Sequence, residues 1–206
     1  MKNKKYDYTA DKELYFYEFT SIGRKGEIKK VVEYSKMNIE GYYNLAFGDF
    51  DKETNEINDK VVTNNGDSLK VLSTVASTLY AFTGKYPNAH IFATGSNEAR
   101  TRLYRMGITN NLVEIQEDFE VYGLKTDETF EKFVVGEDYL GFLITRKNSM
   151  MKVQELNKSK IPLVKINKNL DKFKGKVLFK EKLDMANNLL ENAVLPKLNT
   201  EKKYNK

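Results

Sequence analysis

The strongest constraint in this sequence is one amphipathic helix that stands between two runs typical of β-strands. Apolar side chains recur at helical spacing along one stripe: Leu69, Leu72, Val75, Ala76, Leu79 and Tyr80. Asn65 or Asp67 is a candidate N-cap, and Gly84 with Pro87 predicts the end of the helix. Residues 89–95 then read as a short strand. A helix between two β-runs requires a crossover, so the sequence predicts a mixed sheet.

Four β-prone runs precede this helix, at residues 14–20, 27–34, 42–51 and 56–63. Gly23 and Gly26 lie between the first two runs and predict a hairpin turn. Alternation in the third run places Tyr43, Leu45 and Phe47 on one face. These runs predict an antiparallel meander.

A second, short helix is predicted to be capped by Ser96 or Asn97 and to end at Gly107. Its apolar residues Ala99, Leu103 and Met106 are expected to face the core. Further strands are predicted at residues 119–124, 130–135 and 139–145, and an extended run at residues 161–166.

These elements predict an α+β fold with a mixed, mainly antiparallel sheet and two principal helices. The predicted domain covers residues 13–145. Residues 146–206 are expected to form a basic C-terminal extension with one amphipathic helix, which packs on the domain or on a partner.

Composition excludes several chemistries. The chain has no cysteine, so disulfides, thiolate zinc sites and thiol nucleophiles are excluded. With one histidine, His90, a histidine-rich metal site is excluded, and no metal is expected. No apolar run approaches the roughly 20 residues that span a bilayer. No secretion signal is visible at the start, so a cytoplasmic location is expected.

The positive charge is unevenly distributed. The net charge of the chain is +5, and residues 151–206 hold 14 lysines against 6 aspartates and glutamates. A lysine-rich region of this kind can bind nucleic acid. Lysine and asparagine are also abundant in proteins from low-GC genomes, which is the alternative explanation.

Two stretches are candidate binding sites. Arg100, Arg102 and Arg105 are three of the five arginines, and guanidinium groups suit a phosphate or a carboxylate. The alternative is a set of helix ion pairs with Glu98 and neighbouring acids. The turn that opens the first helix offers a second ligand-binding set: Asn64, Asn65, Gly66 and Ser68. The alternative there is an ordinary turn with a helix cap.

The order of meander, turn, helix, strand and helix over residues 42–123 resembles the GNAT N-acetyltransferase superfamily. The resemblance implies that loop 64–68 presents backbone N–H groups to the diphosphate of acetyl-CoA. It also implies that Asn97 belongs to the second helix motif and that Tyr104, seven residues later, is the general acid. The alternative for Tyr104 is a half-buried aromatic side chain that packs against the sheet. The loop departs from the family pattern because it has one glycine, Gly66, and an acidic residue, Asp67.

Residues 14–145 also look like a family of uncharacterised bacterial proteins with a domain of unknown function. The resemblance rests on three stretches: residues 47–49, 64–67 and 100–104. It implies no known activity. A similar order in some phage-encoded proteins implies a mobile-element or phage-conflict context.

The first functional hypothesis is therefore a GNAT-like binding module with an eroded acyl-CoA loop and no cofactor. Its partner would be a protein or an anionic ligand bound through the helix that carries Arg100, Arg102 and Arg105. The second hypothesis is an active N-acyltransferase that uses acetyl-CoA and Tyr104. The third is a nucleic-acid-binding or toxin-like protein that acts through its lysine-rich region.

Overall fold

One large mixed sheet dominates the computed structural model, which describes residues 4–51, 57–58, 64–147 and 164–198. Its strands are β1 (Thr9–Ala10), β2 (Phe16–Gly23), β3 (Gly26–Lys36), β4 (Tyr42–Phe50), β5 (Ile57–Asn58), β6 (His90–Ala93), β7 (Phe119–Leu124), β8 (Phe130–Lys132), β9 (Gly141–Arg146) and β10 (Lys165–Ile166). The helices are α1 (Ser68–Lys85), α2 (Glu98–Asp118) and α3 (Lys180–Glu191), with a 3₁₀ helix at Lys168–Phe173. The expected α+β class is confirmed.

The strand order is β10-β1-β2-β3-β4-β6-β9-β7-β8, and β5 pairs with β4. All neighbouring strands are antiparallel except β4 with β6 and β1 with β10. The parallel β4–β6 pair follows from the crossover through α1, as the helix between two β-runs predicted. Of the predicted run 56–63, only β5 lies in the described part of the chain; of the run 161–166, residues 161–163 lie outside it.

The sheet carries helices on both faces. On the first, the α1/α2 face, the cluster includes Tyr34, Leu45, Phe47 and Ile91. On the opposite, α3 face, Ala186 and Leu190 pack against another cluster: Met37, Tyr42, Phe92, Tyr122, Leu124 and Leu143. Side chains alternate between faces along each strand, so neighbouring residues such as Ile91 and Phe92 belong to different clusters.

Helix α1 differs from its prediction at both ends. Leu69 was placed on the apolar stripe, but it is 58% exposed because the buried stripe begins at Val71. The helix continues through Gly84 to Lys85, and Tyr86 N–H closes it by donating to Phe82 O. Asp67 occupies the N-cap position without a side-chain capping bond, because its carboxylate is used elsewhere.

Helix α2 is the main correction. It does not end at Gly107 but runs to Asp118. Gly107 lies where α2 packs closely against α1, since Leu72 Cδ2 is only 3.3 Å from where a Cβ would stand, so this glycine allows close packing and does not end the helix. The predicted core face was only partly right: Leu103 is half-buried and packs against the core, but Ala99 is exposed and Met106 is 38% exposed. The buried positions are Arg100, Tyr104, Gly107, Ile108, Asn111 and Ile115. The first two of these positions hold Arg100 and Tyr104, whose polar groups made the buried stripe hard to recognise in the sequence.

Candidate functional site

The parallel strands β4 and β6 separate after a short pairing. They pair over Tyr42–Asn44 and His90–Phe92; then β6 ends at Ala93, while β4 continues to Phe50. An opening therefore lies beside residues 45–48 of β4, between the end of β6 and the short strand β5, which pairs with Asp49 and Phe50. At its apex Asn44 is fully buried, and neither of its side-chain amide atoms has a hydrogen-bond partner in the described part of the chain.

Two side chains of α2 reach β4 beyond the last β4–β6 pair. Arg100 is 4% exposed, and its Nη2 donates to Phe47 O at 3.0 Å. Tyr104 is 6% exposed, and its hydroxyl donates to Leu45 O at 3.3 Å. Both groups are therefore engaged inside the protein, at β4 carbonyls that β6 does not reach.

A lysine from the other face completes this cluster. Lys182 of α3 is 1% exposed, and its Nζ donates to Tyr104 Oη at 2.8 Å. Its ammonium also lies 4.8 Å from the centre of the Tyr104 ring. Since α3 and α2 pack on opposite faces, the pair connects the two faces through the opening between β4 and β6.

Glu33 of β3 holds the N-terminal end of α3 in place. Its carboxylate accepts from Leu178 N–H at 3.0 Å and from Phe179 N–H at 3.1 Å. The side chain is buried, and burial raises the pKa of Glu33 above its ordinary value, although the backbone N–H donors oppose the rise. This anchor positions the turn that carries Lys182.

Glu33→Gln is expected to change how stability depends on pH. Because the folded-state pKa of Glu33 is raised, its favourable contribution is fully present below pH 4.5 and is lost as pH rises through the folded-state value. Glutamine does not titrate and still accepts a hydrogen bond. The Tm of the variant relative to wild type should therefore increase from pH 4 to pH 7 in thermal scans. A difference in Tm between Glu33→Gln and wild type that stays constant from pH 4 to pH 7 would contradict the prediction.

The loop at residues 64–68 is bound to the β2–β3 hairpin. Asn65 is 1% exposed; its side chain accepts from Lys25 N–H at 2.7 Å and donates to Ser21 Oγ at 3.0 Å. Asp67 accepts from the hydroxyls of Ser21 and Tyr6 at 2.6 and 2.7 Å. The polar side chains of this loop therefore make structural contacts. Asn64 and Gly66 are exposed, Gly66 has a φ of +83°, and Ser68 begins α1.

A groove of about 920 Å³ lies where β6 ends and α2 begins. Asn97 caps α2 by accepting from Arg100 N–H at 3.0 Å, as predicted. Arg102 is exposed in this groove and makes no ion pair with any described residue, so the expected pair with Glu98 is not present. Arg105 pairs instead with Asp138. The structure thus brings Asn97, Arg102 and Arg105 together and separates them from the buried Arg100 and Tyr104.

The other wall of the groove comes from α3 and the start of β9. Leu140, Met185 and Leu189 supply its apolar surface. Tyr139 also lines it and donates to Glu131 at 2.8 Å; burial, with that hydrogen bond, raises the pKa of Tyr139 to about 12. The phenol is therefore neutral at physiological pH.

Sequence reasoning missed Lys182 and the α3 wall. A signal was present, since Lys182, Ala186 and Leu190 are spaced four apart and form the buried stripe of α3. A lysine in that position reads as the edge of an amphipathic helix, which is why it was not recognised. Among the residues that the structure describes, no group of three or more histidines, aspartates and glutamates is placed to hold a metal ion. None of the described helices is both long and apolar enough to cross a membrane.

Comparison with known proteins gives one match. Residues 2–147 match a family described as a family of unknown function, DUF6934. Neither the curated proteins nor the solved structures contain a significant match.

Proposed function

The chain belongs to DUF6934, a family of unknown function, and we propose that it is a non-catalytic binding module built on a GNAT-like scaffold. The scaffold is supported by the succession β4, α1, β6, α2, β7, and by the placement of β9 between β6 and β7 in the sheet. The parallel strands that diverge in the middle of the sheet are the feature that a GNAT-type enzyme would use for acyl-CoA.

The observation that carries the proposal is the occupation of that opening by the chain's own side chains. The carbonyls of Leu45 and Phe47 accept hydrogen bonds from Tyr104 and Arg100. Lys182 lies against Tyr104 from the opposite face. An acyl-CoA would have to displace a buried ammonium and a buried guanidinium, and leaving such groups without partners costs several kcal/mol each.

The loop before α1 gives independent support. A diphosphate is bound best by unshielded backbone N–H groups at a helix N-terminus. Here the carboxylate of Asp67 is held beside that terminus by Tyr6 and Ser21, and its negative charge opposes an anion. The proposed binding surface is instead the groove beside α2, where Arg102 is exposed and Arg105, paired with Asp138, is partly exposed.

Titration with acetyl-CoA tests whether the opening binds the acyl-CoA that an acyltransferase would need. We expect no saturable heat in isothermal calorimetry and no thermal shift at millimolar ligand, because the opening is filled and the loop repels phosphate. A dissociation constant below about 1 mM, which corresponds to roughly −4 kcal/mol, would contradict the proposal and favour the acyltransferase alternative. Arg102→Gln is the matched variant for this titration. It changes an exposed groove residue and leaves the filled opening intact, so its titration should be as silent as that of wild type.

A further inference from the structure

The groove beside α2 continues along α3 into a second cavity of about 570 Å³. The two cavities share four lining residues: Thr126, Leu140, Met185 and Leu189. Met185 is 37% exposed although its side chain is apolar. The two cavities therefore form one continuous surface with an apolar floor, which we call the α3 groove.

The α3 groove is acidic in its second part. Glu128, Glu181 and Asp184 line that cavity, and no lysine or arginine is among the described residues that line it. This is a local inversion of charge, because the chain as a whole carries a net charge of +5. Carboxylates around an apolar floor attract a cation that is attached to apolar groups.

The length of the acidic part fits a peptide. It extends along α3 from Glu181 to Leu189, which at 1.5 Å per residue is about 12 Å. About four residues of an extended chain cover that distance at roughly 3.3 Å each. Side chains alternate between the two sides of an extended segment, so its apolar residues can face the apolar floor while its basic residues face the carboxylates.

We propose that the acidic second part of the α3 groove binds a short extended segment of a partner protein in which lysine or arginine alternates with apolar side chains. The inference deepens the proposed binding function and rests on it. Apolar side chains cover Met185, Leu189 and Leu140, and the basic side chains pair with the carboxylates of Glu128 and Asp184. Selectivity comes from the charge of the groove, and the apolar floor provides contact area.

The test uses the full chain and a fluorescein-labelled hexapeptide of alternating leucine and lysine, followed by fluorescence anisotropy. We expect saturable binding that weakens with added salt, and no binding of the counterpart with glutamate in place of lysine. The double variant Glu128→Gln/Asp184→Asn should bind about fivefold more weakly, since each exposed ion pair contributes roughly 0.2–1 kcal/mol. Glu27→Gln/Asp7→Asn removes the same charge from exposed positions outside the groove and should bind like wild type.

A second pair of variants tests the floor. Met185→Gln should weaken binding, whereas Val113→Gln, at a position 82% exposed on α2, should not. The inference would be overturned if the glutamate peptide bound as tightly as the lysine peptide, or if the groove variants and the control variants bound with equal affinity. Displacement of the lysine peptide by spermine at equal charge concentration would also overturn it. The acetyl-CoA titration distinguishes the two proposals. Saturable acetyl-CoA binding would overturn the proposed function, whereas a silent titration without peptide binding would overturn only this occupant.

Discussion

Gly95→Ala is expected to destabilise the protein by about 3 kcal/mol, because backbone atoms occupy the space that a side chain at Gly95 would need. A Cβ there would overlap Thr101 N, Arg100 C and Asn97 O, all in or next to the first turn of α2. None of these atoms can move without moving the helix. Gly95 N–H also donates to Thr101 Oγ1 at 3.1 Å, so a displaced turn loses that bond as well.

Urea and thermal unfolding measure this loss. For a chain of this size a loss of about 3 kcal/mol lowers the Tm by roughly 6–12 °C. The matched control is Gly136→Ala, where a Cβ meets no atom within 4 Å but the backbone has a φ of +98°. That variant should cost about 1 kcal/mol from backbone strain alone. If Gly95→Ala lowered the free energy of unfolding no more than Gly136→Ala does, the first turn of α2 would accommodate the added Cβ and the prediction would be wrong.

Tyr104→Phe is expected to cost about 2–3 kcal/mol, because it removes an acceptor that a buried ammonium uses. Lys182 Nζ donates to the Tyr104 hydroxyl, which in turn donates to Leu45 O, so one oxygen atom connects α3, α2 and β4. Phenylalanine keeps the ring contact but leaves the lysine with one hydrogen bond fewer in a buried place. The loss should appear in chemical denaturation at neutral pH.

A double-mutant cycle separates the pair from the rest of the site. In a Lys182→Met background the same Tyr104→Phe change should cost only about 1 kcal/mol, since no buried cation then depends on the hydroxyl. Tyr42→Phe, at a tyrosine with similar burial on the α3 face, is the control for loss of a hydroxyl. Equal costs of Tyr104→Phe in both backgrounds would contradict an energetic connection between α2 and α3 through the opening.

Much of the fold follows from local patterns. Alternation in the third β-run placed Tyr43, Leu45 and Phe47 on one face, and all three pack on the α1/α2 face. Apolar spacing identified α1, and Asn97 was recognisable as a cap because its side chain needs only its own helix. These features depend on residues close in sequence, which is why one sequence suffices to predict them.

The candidate site was predictable only in part. The sequence singled out Asn97, Arg102 and Arg105, and all three line the groove. It offered a half-buried Tyr104 only as an alternative, and it did not indicate that Arg100 is buried, because a polar residue in a core position resembles a surface residue until its partner is known. The partners here, Phe47 O and Leu45 O, lie more than 50 positions away.

The sequence by itself determined the α+β class, the crossover through α1 and the exclusion of cysteine chemistry, since these follow from periodicity and composition. Only the tertiary structure decided what occupies the opening between β4 and β6. Lys182 and Tyr104 are 78 positions apart, and they meet because helices on opposite faces converge at one break in the sheet. The fold determines which partners satisfy buried polar groups, and for this reason only the tertiary contacts show which side chains fill the opening.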